Sequence, residues 1–101
     1  MHYVICYDLE SDRRRDKAVK ILERNGCRRI QKSVFLAPEM LKKDLFRLQT
    51  SLERLMNAPE AGASDSIYIV PMSNENAENL LILGKNTIIT ELLAIPLKIL
   101  L

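Results

Sequence analysis

The chain has 101 residues, of which 48 % are apolar and 28 % charged, which is typical of one small globular domain and not of a disordered chain. The net charge of +2 conceals an uneven distribution, because nine bases and only two acids lie between Arg13 and Lys32. The single histidine, His2, excludes catalysis by a serine–histidine or cysteine–histidine pair. The two cysteines, Cys6 and Cys27, are too few for a disulfide scaffold and lack the spacing of zinc ligands. We therefore expect a cytoplasmic protein with reduced thiols and a local binding surface for a polyanion.

The first half of the chain predicts a strand, a helix and a second strand region. The β-branched and aromatic run at residues 3–7 predicts a strand that is buried on both faces. A basic helix follows and ends at Asn25 and Gly26, because this pair suits a left-handed cap. Residues 28–37 predict one bent strand or two short ones, ended by Pro38.

The second half predicts one amphipathic helix and two strands. Leucines recur at spacings of three and four between residues 41 and 55, which is typical of a helix that faces a core. Residues 57–66 are small or polar and predict a loop. Residues 67–70 predict a buried strand ended by Pro71, and after a polar segment residues 80–83 predict a further strand.

This order of elements predicts an α+β fold, a ferredoxin-like βαββαβ sandwich with an additional C-terminal strand. Residues 1–87 make up the ferredoxin-like domain, and residues 88–101 form an apolar tail. Glu91, Pro96 and Lys98 interrupt the tail, which is too short to cross a bilayer, so we predict no membrane partner.

The apolar tail and one uncovered face of the predicted sheet favour a homodimer, because unpaired apolar surface of that size promotes aggregation. The tail then has two possible roles. It packs across the dimer, which we prefer, or it docks on a partner protein through apolar anchors.

Asp8 is the one acid placed at the end of a predicted buried strand, and two interpretations of it are open. In the first, its carboxylate caps the turn that follows. In the second, two copies of Asp8 meet across a dimer axis and hold one divalent ion, which activates water at a phosphodiester. Position alone favours the capping role, because isolated carboxylates seldom mark active sites.

The concentrated bases lie on the outward face of the first helix and on the strand that follows. They are Arg13, Arg14, Arg15, Lys17, Arg28, Arg29 and Lys32. They form either a solvated face or a nucleic-acid-binding surface that contacts phosphates without reading sequence. Only Asp16 and Glu23 are available for local pairing, and on these residues alone both interpretations stay open.

Several segments in this order and spacing resemble the CRISPR-associated Cas2 family. In chain order they are YDL at residues 7–9, Gly26, RIQKSVF at 29–35, IYIVP at 67–71 and LILG at 81–84. The resemblance spans about residues 1–86. It implies a ferredoxin-like homodimer that acts with the Cas1 integrase in spacer acquisition. It also implies an Mg²⁺-dependent endonuclease, acting on single-stranded RNA or double-stranded DNA.

The resemblance also implies roles for individual residues. Asp8 matches the aspartate that binds metal from both protomers, so catalysis and one shared Mg²⁺ replace capping as the preferred interpretation. Arg15, with Arg14 beside it, and Arg29 match the family's helix and strand arginines. Phe35, which we interpret as structural, matches a family aromatic. An acid commonly follows that aromatic in the family, whereas this chain has Leu36, so no chemistry is assigned to that position.

Two alternatives to the nuclease stay open. The chain is a noncatalytic DNA-binding scaffold of the integrase complex, in which case Asp8→Ala leaves spacer acquisition unchanged. Less favoured is a toxin-type ribonuclease, since a related toxin family shares this compact fold. The neighbouring gene distinguishes these two alternatives, because an adjacent integrase gene indicates the scaffold and an adjacent antitoxin gene indicates the toxin.

Overall fold

A computed structural model describes residues 1–94 and contains four strands and four helices in that range. In chain order they are β1 His2–Asp8, α1 Asp12–Arg24, β2 Arg28–Gln31, β3 Val34–Ala37, α2 Lys42–Met56, β4 Ser66–Met72, α3 Asn74–Glu78 and α4 Ile88–Leu93. The four strands form one antiparallel sheet in the order β2-β3-β1-β4. The predicted α+β sandwich of βαββαβ type is confirmed.

The core lies between the sheet and the helices α1 and α2. Ile5 of β1, Leu22 of α1 and Leu48 of α2 are all fully buried in it. Val4 and Cys6 point to the opposite face of β1 and are only half-buried. The prediction that this strand is buried on both faces is therefore wrong within the described chain, since β1 alternates as a strand with one covered face does.

Local signals set the ends of α1. The Ser11 hydroxyl accepts a hydrogen bond from the Arg14 N–H at 3.1 Å, which caps the first turn. The helix ends at Arg24 with Asn25 as its C-cap, and Gly26 follows with a φ of 82°, a left-handed conformation that glycine adopts without steric cost. The predicted end of this helix is confirmed.

Pro71 does not end the fourth strand, which continues to Met72. Pro71 pairs with Tyr3 in the register of β1 and β4. Because β4 is an edge strand, a residue without an N–H is tolerated there when that side of the backbone faces solvent.

The additional C-terminal strand predicted at residues 80–83 is not formed within the described chain, where only Ile82 makes an isolated bridge. A strand needs a row of free backbone groups as its partner. On the outer strand β2, the carbonyl oxygen of Ile30 instead accepts a hydrogen bond from the side-chain amide of Asn86 at 2.7 Å.

In the predicted tail, α4 is described, whereas residues 95–101 lie outside the described residues. No helix among residues 1–94 combines the length and the apolar character that a membrane span requires.

Both cysteines are free thiols, as expected. Cys27 is buried, and burial raises the pKa of its thiol to about 11, so the thiol is protonated at neutral pH.

We expect iodoacetamide at pH 8 to alkylate Cys27 at least about 100-fold more slowly in the folded protein than in guanidinium. Peptide mass spectrometry reads each site separately, with half-buried Cys6 as an internal comparison. Equal rates before and after unfolding would contradict this account.

Candidate metal and nucleic-acid site

Asp8 lies at the C-terminal end of the central strand β1, opposite Ser66 of β4. Its side chain is exposed and makes no hydrogen bond or ion pair with any part of residues 1–94. The next helix is capped by Ser11 and not by Asp8. The capping interpretation of Asp8 is therefore wrong, and both of its carboxylate oxygens are free for a ligand.

Arg15 holds the loop that follows Asp8. Its Nη1 donates to the carbonyl oxygens of Leu9 at 2.7 Å and Glu10 at 3.3 Å. Its second terminal nitrogen forms an ion pair with the Asp12 carboxylate. Because the guanidinium binds the carbonyls of the two residues directly after Asp8, it restrains the backbone of this loop.

The turn between β2 and β3 lies against the same end of β1. The Tyr7 N–H donates to the Ser33 carbonyl at 3.0 Å, and the Tyr7 hydroxyl donates to the Lys32 carbonyl at 3.1 Å. Together these elements enclose a cavity of about 390 Å³, here called the Asp8 cavity. Its lining residues are Tyr7, Asp8, Leu9, Asp12, Arg15, Lys32 and Ser33. Carboxylates and bases therefore share one cavity, as a site for a phosphodiester and a cation requires.

Asp65 is bonded to the loop that follows Asp8. Its carboxylate accepts hydrogen bonds from the N–H of Glu10 at 2.8 Å, the N–H of Gly62 at 3.0 Å and the Nε of Arg14 at 3.0 Å. The Glu10 bond is the largest cause of a lowered pKa of Asp65, since it outweighs the opposing effect of burial and is joined by the bonds from Gly62 and Arg14. Sequence reasoning missed Asp65, which lies in a predicted loop with no local pattern to distinguish it.

Arg14 is not on the outward face of α1, and its assignment to nucleic-acid binding is wrong. Its side chain is 2 % exposed and forms an ion pair with Asp65, whose side chain is 1 % exposed. Arg14 precedes Ala18 by four residues and Leu22 by eight, so the three share the core-facing side of the helix. That spacing is the sequence signal that identifies Arg14 as buried.

The other predicted nucleic-acid-binding residues are spread over different surfaces. Arg15 and Lys32 line the Asp8 cavity. Arg13 is exposed on α1, and Lys17 lies 3.8 Å from Glu60. On β2, Arg28 is exposed, and the guanidinium carbon of Arg29 lies 5.2 Å from the centre of the buried Phe35 ring. The cation–π contact to Arg29 and the burial of Phe35 agree with a structural role for this aromatic.

The donor atoms of the cavity suit Mg²⁺ in type but not in number. Carboxylate oxygens are the ligands that this ion prefers, and Asp8 and Asp12 supply them. Asp12 is already paired with Arg15. Among residues 1–94, no group of three or more acids, histidines or cysteines is arranged to hold a metal. One chain thus offers one free carboxylate here, and a second copy or a substrate phosphate would have to complete any magnesium site.

Comparison with known proteins connects this geometry to one family. The family model described as CRISPR associated protein Cas2 matches residues 1–80. The chain belongs to the Cas2 family. It is 30 % identical over 81 residues to CRISPR-associated endoribonuclease Cas2 1 of Methanospirillum hungatei, covering 80 % of each chain. It is 33 % identical over 84 residues to CRISPR-associated endoribonuclease Cas2 2 of Synechocystis, covering 81 % of this chain and 83 % of the relative.

A solved structure shows the same architecture. The crystal structure of a hypothetical protein from Thermus thermophilus superimposes with a TM-score of 0.59 at 27 % sequence identity, covering 71 % of this chain and 80 % of that protein. The Cas2 match ends at residue 80, so α4 and the apolar tail lie beyond the part that the family shares.

Proposed function

We propose that this Cas2-family chain is a metal-dependent endonuclease that hydrolyses phosphodiester bonds, with single-stranded RNA or double-stranded DNA as substrate. The observation that carries the proposal is the free, exposed carboxylate of Asp8 beside Arg15 and Lys32 in one cavity. The endoribonuclease names of the relatives from Methanospirillum hungatei and Synechocystis support it.

The active form in this proposal is a homodimer in which the Asp8 carboxylates of two protomers share one Mg²⁺. The shortage of donors in one chain supports this arrangement. The sheet face away from α1 and α2 supports it too, because Tyr68 and Val70 on that face are 67 % and 48 % exposed. A second copy removes such apolar surface from water.

Three residues of the cavity have separate parts in the proposed reaction. Bound Mg²⁺ supplies charge neutralisation at the phosphodiester and a more acidic water. Asp8 holds the ion, Lys32 attracts the phosphate, and Arg15 keeps the loop after Asp8 in place. His2 is not a candidate base, since it lies at the opposite end of β1, where Asn74 and the Glu39 N–H occupy its two ring nitrogens.

Metal removal is the direct test of this function. We expect EDTA to abolish cleavage of a labelled 30-nucleotide RNA or a 30-base-pair DNA, and added Mg²⁺ to restore it, because one carboxylate provides no catalysis alone. Product formation on denaturing gels measures this result. Cleavage that persists in excess EDTA would contradict the proposal.

A noncatalytic scaffold for the Cas1 integrase in spacer acquisition is the second candidate function. The observation that favours it is that several bases, among them Arg13, Lys17 and Arg28, do not line the Asp8 cavity. Bases placed away from a reaction centre hold a nucleic acid without cutting it. A spacer-acquisition assay with the integrase distinguishes the two functions. If the chain is only a scaffold, Asp8→Ala leaves acquisition unchanged; if its nuclease activity is required, Asp8→Ala inhibits acquisition.

A further inference from the structure

The loop that joins Asp8 to α1 is bonded through its carbonyl and N–H groups to two separate parts of the chain. Arg15 of α1 binds the carbonyls of Leu9 and Glu10. The Glu10 N–H donates to Oδ1 of Asp65 at 2.8 Å. In addition, the Leu9 side chain is only 2 % exposed and packs in the core. The backbone directly after the exposed Asp8 is therefore fixed by three kinds of contact.

Asp65 makes its bond from the end of the neighbouring strand. Asp8 and Ser66 are the last pair in the register of β1 and β4, and Asp65 directly precedes Ser66. The bond from Glu10 to Asp65 thus continues the connection between these two segments beyond the last strand pair. Asp8 lies between that pair and this bond, and both join it to the same segment of the chain.

The Asp65 carboxylate is itself held firmly. Its side chain is 1 % exposed, and Oδ2 accepts hydrogen bonds from the N–H of Gly62 at 3.0 Å and the Nε of Arg14 at 3.0 Å. Because both oxygens are buried and bonded, Asp65 is not available as a metal ligand. Any effect that it has on Asp8 passes through the backbone of the loop.

Gly62 allows the two loops to approach this closely. A Cβ atom at this position would lie 2.4 Å from Oε2 of Glu10 and 2.9 Å from Oδ1 of Asp65. Both distances are shorter than van der Waals contact, so a side chain at Gly62 displaces one or both carboxylates. The Ser64 hydroxyl also donates to Oε1 of Glu10 at 2.5 Å. The turn at residues 62–65 is therefore packed directly against the loop after Asp8.

We propose that Asp65 is a positioning residue of the metal site, which acts through the Glu10 N–H to keep the Asp8 backbone where its carboxylate binds a divalent cation. This role rests on the proposed function, because it requires that Asp8 binds a metal. Mg²⁺ demands nearly ideal octahedral geometry, and the described residues of one chain offer it a single free carboxylate. A displaced Asp8 therefore has no neighbouring ligand to replace it.

Asp65→Asn tests this role, because asparagine has one acceptor oxygen for three donors. The orientation that satisfies both Arg14 and Gly62 turns the amide nitrogen of the asparagine towards the Glu10 N–H, so this bond is lost. Binding of Mn²⁺, used in place of Mg²⁺, is measured by electron paramagnetic resonance at low temperature without nucleic acid. The part of the binding that Asp8→Ala removes belongs to the Asp8 site. We expect Asp65→Asn to weaken that part about tenfold or more.

Two control variants separate positioning from stability and from charge. Arg14→Met breaks the same buried ion pair but keeps the bond between Asp65 and Glu10. Asp16→Asn makes the same change in net charge at an exposed residue of α1. We expect both controls to bind Mn²⁺ within about twofold of the wild type, since solvent and salt screen charges that are not in contact.

Circular dichroism confirms that each variant is folded. If Asp65→Asn does not fold, Gly62→Ala replaces it, because the added Cβ displaces the same carboxylate oxygen without removing a charge. We expect Gly62→Ala to weaken Mn²⁺ binding about threefold or more.

The outcomes distinguish this role from the function on which it rests. Equal Mn²⁺ affinities of Asp65→Asn and Arg14→Met would overturn the positioning role, whereas a loss of binding in Asp8→Ala would still support the proposed metal site. Equal Mn²⁺ binding by the wild type and Asp8→Ala would overturn the proposed metal site, and the role of Asp65 with it.

Discussion

Replacing Asp8 by alanine is expected to lower the rate of the proposed metal-dependent cleavage by about 100-fold or more. Asp8 has the one carboxylate of the Asp8 cavity that is free of an ion pair, since Asp12 is held by Arg15. Removing it takes away the proposed metal ligand without removing any side-chain contact within the described chain. The rate of product formation at saturating Mg²⁺ measures the effect.

Folding and binding of the Asp8→Ala variant are expected to stay unchanged, because Asp8 is exposed and makes no internal bond. Asp16→Ala is the matched control, since it removes another exposed carboxylate on the neighbouring helix. A variant at Asp8 that cleaves as fast as Asp16→Ala would show that the nuclease belongs to another residue or to a contaminant. A variant that no longer binds nucleic acid would show that Asp8 has a structural role.

Replacing Arg14 by methionine lowers the melting temperature by about 10–20 °C, because it leaves the Asp65 carboxylate buried without its cation. Arg13→Met is the control, since it removes an exposed arginine at the adjacent position and is expected to change the melting temperature by only about 3 °C or less. The double variant Arg14→Met/Asp65→Asn is expected to recover part of the loss, as it removes the buried charge. Equal melting temperatures for the two single variants would contradict the buried ion pair.

The Asp65 carboxylate, held mainly by the hydrogen bond from the Glu10 N–H and further by those from Gly62 and Arg14, makes stability depend on pH in acid. The pKa of Asp65 is lowered in the folded protein, so its stabilising contribution is complete above the pKa of about 3.9 that an unfolded aspartate has. The contribution is lost as the pH falls through the lower, folded-state pKa. Melting curves between pH 5 and pH 2 are expected to show a smaller acid loss for Asp65→Asn than for the wild type, and parallel losses would contradict this linkage.

The sequence by itself determined the order of strands and helices through α2, because apolar periodicity and caps are local properties. The leucine spacing identified α2, and Asn25 with Gly26 marked the end of α1. Asp8 was also distinguishable, since an acid that ends an apolar strand lies at the rim of a sheet.

Only the tertiary structure decided which charges act together. Arg14 is buried because Asp65, 51 residues away, supplies a carboxylate on the core side of α1. Lys32 reaches the Asp8 cavity because the turn before β3 is bonded to Tyr7. Arg54 lies in one groove with Lys17, Lys20 and Arg24 only because α2 packs beside α1. The bases that are concentrated in the first half of the sequence thus lie in a buried ion pair, in the Asp8 cavity and on other surfaces, since charges interact through distance in space and not along the sequence.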